Sequence, residues 1–181
     1  MLIQAQLELG EAYDLSLAAS KHNLGLILSY LLPLHLISST YPSLHLLRQY
    51  PDLNTLYSPL FTAIRTGNLR LFNTHFDKYS PIFLRRRVFL AIERSRQCCL
   101  RTLFHRSVSI YEGTRIPIEV FERALRVCGE VIDREETECY VANMIYRGWI
   151  KGYISRERAM VVLSAKEGFP KVAGNLSWVR Q

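Results

Sequence analysis

The side chains of this chain best suited to chemistry are six arginines between positions 85 and 101 and four cysteines, two of them adjacent. Guanidinium forks bind phosphate and carboxylate oxygens in pairs of parallel hydrogen bonds. Arg87, Arg94 and Arg101 recur every seven residues, with Arg85, Arg86 and Arg96 beside them. On one helix that spacing forms a basic strip turned away from the apolar side, the footprint of a phosphate backbone or an acidic partner, or simply a solvated face. The arginines flanking Cys98 and Cys99 would lower a thiol pKa, but Cys99 falls on the apolar side of the same helix, where a thiol is inert. Cys128 and Cys139 complete the set without a CxxC pair or a histidine at ligand spacing, so neither zinc nor a disulfide framework is expected. His22, His35, His45, His75 and His105 are scattered singly. There is no GxxxxGK[ST] phosphate loop, GxSxG elbow or HExxH helix. The expectation is a chain that is not an enzyme and holds no cofactor or metal.

The elements that position these residues are mainly helical. A length of 181 residues, 49% of them hydrophobic and 22% charged, suits one packed domain. The net charge of +7 is localised: Arg85 to Ile110 carries 7 Arg against Glu93, whereas Met1 to Leu84 balances 5 basic with 5 acidic residues. The uncharged stretch His22 to Leu47 includes Asn23, Pro33, His35, Pro42 and His45, which suits buried helices and not a membrane span. Met1 to Gly10 lacks the pattern of a signal peptide.

Helices are expected over Leu2 to Ala19, Leu24 to Ile37, Ser43 to Tyr50, and Asn54 to Arg65. The last ends at Gly67, and Asn68 caps the next. Ser80-Pro81 reads as a further start, with proline in the first turn. Beyond it Leu84, Val88, Ala91, Ile92, Ser95 and Cys99 define one apolar side, and Leu100, Leu103, Phe104 and Val108 another, rotated by about a quarter turn. Two helices, or one bent near Gln97 to Leu100, would explain the rotation. Short helices with short connections suggest stacked antiparallel pairs.

After Tyr111 the period changes. Arg115 to Ile118 reads as an edge strand containing Pro117, and Glu119 to Val127 as a helix with Val120, Phe121, Ala124 and Leu125 inward. Asp133 with Glu136 forms a capping-box pattern that opens a helix burying Tyr140, Val141, Met144 and Ile145 and stopping at Gly148. Trp149 to Ser155 and Met160 to Ser164 alternate as a hairpin, placing Trp149 and Tyr153 on one face of its first strand. Helix, capped helix and hairpin are the order of a winged helix.

The run Glu138-Cys139-Tyr140-Val141-Ala142-Asn143-Met144-Ile145-Tyr146-Arg147-Gly148, then Ile150 to Ser155, Val161 to Ser164 and Phe169-Pro170, resembles the end of PCI-domain proteins. Within that family it is most similar to the group containing COP9 signalosome subunit 12 and the PCI subunit of the nuclear-pore transcription-export complex. Asn23 to Pro33, Ala63 to Leu69, and Leu90 to Phe104 resemble the same group in the same order. The resemblance implies TPR- or HEAT-like helix pairs over 1–110, a winged helix with a small hairpin wing over 111–170, and a tail over 171–181. It also implies that the array begins further upstream in its relatives, and that the role is a scaffold subunit of a multiprotein assembly, signalosome-related or coupled to mRNA processing and export.

Partners implied by the resemblance are another PCI subunit, joined winged helix to winged helix with Trp149 and Tyr153 as anchors, and the small acidic disordered subunit shared with the proteasome lid. RNA or single-stranded DNA is the alternative partner, held by Arg85, Arg86 and Arg87 and by Lys151, Arg156 and Arg158 of the wing, since backbone contacts need only charge in the right line. Base readout is not expected, because the first turn of the capped helix presents Glu135, Glu136 and Glu138. No membrane partner is expected. Reduced cysteines fit the nucleus and cytoplasm.

Overall fold

The computed structural model describes residues 2–16, 20–111 and 113–170. The expected tail and the last residues of the helix drawn to Ala19 lie outside them. Six helices come first: α1 (Leu2–Leu15), α2 (Lys21–Ser38), α3 (Leu44–Arg48), α4 (Pro51–Thr66), α5 (Leu69–Arg85) and α6 (Phe89–Tyr111). Then follow β1 (Arg115–Pro117), α7 (Ile118–Val127), α8 (Arg134–Tyr146), β2 (Gly152–Ser155) and β3 (Met160–Leu163). Helical pairs followed by a winged helix is the expected architecture.

Chain direction changes at recurring helix ends. Helices α2, α4, α5, α7 and α8 each end in a left-handed residue: Ser39, Gly67, Arg87, Gly129 and Gly148. After each, the next amide reaches back over the last turn, as in Thr40 N–H to His35 O and Val88 N–H to Phe83 O, which satisfies carbonyls the helix leaves free. Starts are equally local. Asn68 accepts the Leu71 amide at 3.0 Å, and Asp133 and Glu136 form the full capping box.

Pro81 does not start a helix, contrary to expectation; it lies inside α5, which runs on to Arg85. A mid-helix proline costs a backbone bond, and here the following Phe83 is fully buried against Tyr57 and Phe76, so tertiary packing outweighs the local cost. The break comes later, at the left-handed Arg87, and Leu84 falls on the outside, 59% exposed. Past the break α6 is a single continuous helix, and the change of apolar side inside it is a change of neighbour. Ile92, Ser95 and Cys99 are buried in the part of the core shared with α2, α4 and α5, whereas Phe104 meets Phe121 of α7 edge-on at 4.9 Å.

The three strands form an antiparallel sheet ordered β1-β3-β2. The first wing strand is shorter than expected, since Trp149, Ile150 and Lys151 precede β2. Pairing sets Ile116, Val161 and Ile154 side by side on the inner face and Arg115, Val162 and Tyr153 on the outer one. One continuous apolar core runs from Leu28 through α6 to Leu163.

Two stability outcomes follow from this packing. A β-carbon on Gly67 would sit 2.8 Å from the Leu103 amide nitrogen, whereas one on Gly148 meets open space, although both residues are left-handed. Gly148→Ala is expected to cost about 1–2 kcal/mol of left-handed strain. Gly67→Ala should cost clearly more in urea unfolding, because backbone must also move. His35 is 3% exposed, and burial holds its imidazole down to about 4. The unfolded chain therefore takes up a proton below its ordinary pKa that the folded chain refuses, and stability falls as pH drops from that value towards about 4. Between pH 7 and pH 5 this site should account for roughly 2 kcal/mol of lost stability, absent in His35→Gln.

Candidate functional site

Two surfaces were expected to carry function, the wing and the arginine strip, and each is built differently from the sequence expectation. In the wing, Tyr153 is 62% exposed on the outer sheet face, flanked across the strands by Val162 and Arg115. Pro117, Met160 and Ser155 continue that face by register. Trp149 does not join it. It lies in the turn before β2, packs against the core, and has the Arg147 guanidinium 5.9 Å from its ring centre. The expected pair of anchors is thus one exposed tyrosine and one half-buried tryptophan.

The basic residues of the wing are partly engaged. Lys151 Nζ lies 2.6 Å from Glu167, and Arg156 lies 3.5 Å from Glu138, which also faces Arg134 at 3.6 Å. Arg158 is exposed and has no ion pair among the described residues. Exposed ion pairs of this kind contribute little stability, but they offset charge that a phosphate backbone would otherwise meet.

The arginine strip is not one surface. Arg85 closes α5, Arg86 caps it, and Arg87 makes the left-handed turn, so the helical phase is lost before Arg94, Arg96 and Arg101. Arg85, Arg87 and Arg94 are exposed, whereas Arg86 is half-buried beside Tyr57, whose hydroxyl burial pushes up to about 12 against the opposing charge of Arg86. The remainder work inside the fold. Arg96 donates to Glu130 at 2.7 Å and to Asn73 at 3.0 Å, and Asn73 donates to the same Glu130 oxygen. Arg101 donates to the Pro170 carbonyl at 2.5 Å. Arg70 of α5 donates to the Val127 carbonyl at 3.0 Å, at the end of α7. These contacts tie α5 and α6 to the winged helix. Sequence reading missed Arg70, Asn73 and Glu130 because the partners stand 57 residues apart and share no local spacing.

The thiols beside the arginines are not activated. Cys99 is fully buried, and burial pushes it up to about 12 despite Arg96. Cys98 is raised for the same reason, and its thiol donates to the Ile37 carbonyl at 3.2 Å. Cys139 is exposed on α8. No group of three His, Cys, Asp or Glu side chains suited to a metal exists among the described residues, and no helix there is long and apolar enough to cross a membrane. At the start of α8, Glu135 and Glu136 are exposed as expected, and Glu138 is turned towards Arg134 and Arg156.

The division of the arginines has a measurable consequence. Arg96→Ala leaves Glu130 and Asn73 half-buried without their cation, and should cost about 2 kcal/mol in chemical denaturation. Arg94→Ala, two residues away in α6 and exposed, should stay within about 0.5 kcal/mol.

Comparison with known proteins places this geometry. Residues 76–165 match the PCI domain family, a span that begins inside α5 and includes α6 and the winged helix. The chain is 40% identical to the Protein CSN12 homolog of Gibberella zeae, over 93% of this chain and 40% of that protein. It is 38% identical to the Protein CSN12 homolog of Schizosaccharomyces pombe, over 92% of this chain and 40% of that one. With PCI domain-containing protein 2 of Xenopus laevis it shares 31% identity, over 94% of this chain and 42% of the relative. The chain thus spans about 40% of the length of the curated relatives it matches. Helix pairs running into a winged helix through one core, the family match across that junction and these relatives agree, and the chain is a PCI-domain protein.

Proposed function

We propose that this chain is a non-catalytic scaffold subunit that joins a second PCI-domain protein through the outer face and free edge of its winged-helix sheet. The observation that carries the reading is Tyr153, 62% exposed on a face it shares with Val162, at the β2 edge of a three-stranded sheet. An exposed aromatic side chain on an edge strand is costly to leave in water and well suited to an interface core. The relatives support the class of role. On this reading the assembly is signalosome-related or coupled to mRNA processing and export, works in the nucleus and cytoplasm, and has the small acidic subunit as a further member.

Direct binding of RNA or single-stranded DNA is the second reading. Exposed Arg85, Arg87 and Arg158 favour it. Lys151 and Arg156 favour it less, since Glu167 and Glu138 already face them.

Tyr153 has its side chain largely in solvent, so changing it tests association without unfolding the domain. Tyr153→Asp should leave the circular dichroism spectrum and melting curve of the isolated chain unchanged. In affinity purification from its own cells with nuclease present, it should lose most of the co-purified PCI partner that the unmodified chain retains. Equal recovery from both would refute the sheet face as the interface. Recovery of nucleic acid alone would favour the second reading.

A further inference from the structure

The junction of the two halves holds a cleft that neither the core nor the proposed interface uses. Helix α8 rests on α7 and β2, and α6 on α2, α4, α5 and α7. Between α6 and α8 is left an opening of about 350 Å³, with the apolar side chains of Leu100 and Met144 in its lining. Arg94 and Arg96 come to it from α6, together with the carboxylate of Glu93, and Arg147 from the end of α8, where Arg147 donates to Gln97 across the gap; three cations against one carboxylate leave this end positive.

On α8 the opening continues into a second concavity, because Tyr140 and Asn143 line both. The second one is acidic, lined also by Asp133, Glu135 and Glu136. Glu136, Tyr140, Asn143 and Arg147 are spaced i, i+4, i+7 and i+11, which is one stripe of a helix. The groove is therefore dipolar, with an excess of cations at the C-terminal end of α8 and carboxylates at the N-terminal end. Its middle is a tyrosine and an asparagine.

This charge order decides the class of occupant. A polynucleotide has one sign of charge along its length and would be repelled by the carboxylate half. A wholly acidic chain would meet the same repulsion. We infer that the groove along α8 takes an extended peptide segment of a partner protein that carries a carboxylate at one end and a lysine or arginine at the other, with an apolar residue between. From Glu136 to Arg147 is about 17 Å along the helix axis at the α-helical rise. An extended strand covers that distance in about five residues. The carboxylate of the segment meets Arg147 and Arg94, and its cation meets Glu135 and Glu136. Asn143 offers a donor and an acceptor to the peptide backbone. This partner class is separate from the sheet-face interface, and either can hold without the other.

The test is selection of a phage-displayed library of random nine-residue peptides on the folded chain at moderate salt. Binding of the selected peptides is then measured to the unmodified chain, to Arg147→Gln and to Glu136→Gln. Glutamine at position 136 keeps the side-chain acceptor of the capping box, so the helix start is preserved. The expected result is enrichment of peptides with an acidic and a basic residue four to six positions apart. Each substitution should weaken them by about tenfold, roughly the loss of one charge-assisted contact. Enrichment of uniformly acidic peptides would overturn the inference, and so would absence of any enrichment, or affinities equal in all three proteins. A uridine decamer serves as the contrasting probe. Binding of that RNA that strengthens in Glu136→Gln and weakens in Arg147→Gln would make the groove a polyanion site and overturn the peptide reading.

Discussion

The rest of the structure depends on the burial of α6 on two sides. Its first half gives Ile92, Ser95 and Cys99 to the helical repeats, and its second half gives Phe104 to α7. One helix thereby belongs to both halves of the fold, and neither half can bury its apolar face without it. The polar groups on its buried sides are consistent with that demand. Ser95 donates to the Ile92 carbonyl at 2.6 Å, and Cys99 to the Ala63 carbonyl at 3.3 Å, so small side chains let helices approach without leaving donors unpaired. Gly67 extends the same logic to the backbone, since the α4–α5 turn comes so near to Leu103 that no β-carbon fits.

Once α6 is fixed, the arginines acquire different roles by position alone. Those that point along the junction find carbonyls and a carboxylate that other elements leave open. Arg96 reaches Glu130, Arg70 reaches the carbonyl end of α7, and Arg101 reaches Pro170. The end of a helix carries partial negative charge, which makes it a natural acceptor for a guanidinium. Much of the positive charge that seemed free in the sequence is spent on holding the winged helix to the repeats. What remains exposed is divided among the α5–α6 corner, the wing and the cleft beside α8.

Features set by short-range chemistry were legible in the sequence. Asn68, Gly67, Gly148 and the Asp133–Glu136 box act within one turn of the residues they terminate, so their types declare their roles. The hairpin alternation was legible for the same reason. Left-handed ends at Ser39 and Arg87 were not, because neither residue is a usual choice there. Their conformation follows from packing, as the burial of Phe83 and Val88 on either side of Arg87 shows. Missing that one turn propagated. A helix phase carried from Leu84 across the break put Arg87, Arg94 and Arg101 on one face, where in fact two helices with different axes meet.

The candidate surfaces were less legible than the fold because they are defined by what does not pack. Tyr153 and Trp149 have similar neighbours in sequence, but only the first lies on the strand, and register with Val162 sends it outward while Trp149 folds back beside Arg147. The groove beside α8 is a stronger instance. Glu136 serves the helix start, Tyr140 covers part of the core, and Arg147 bridges to Gln97. Each has a local structural role, yet together they line one groove, whose Tyr140 and Arg147 end faces α6 across a gap. That gap exists because α8 rests on α7 and β2 while α6 is occupied elsewhere. A winged helix hung from one shared helix has this consequence, because the attachment that makes the domain one body also fixes the width of the opening beside it.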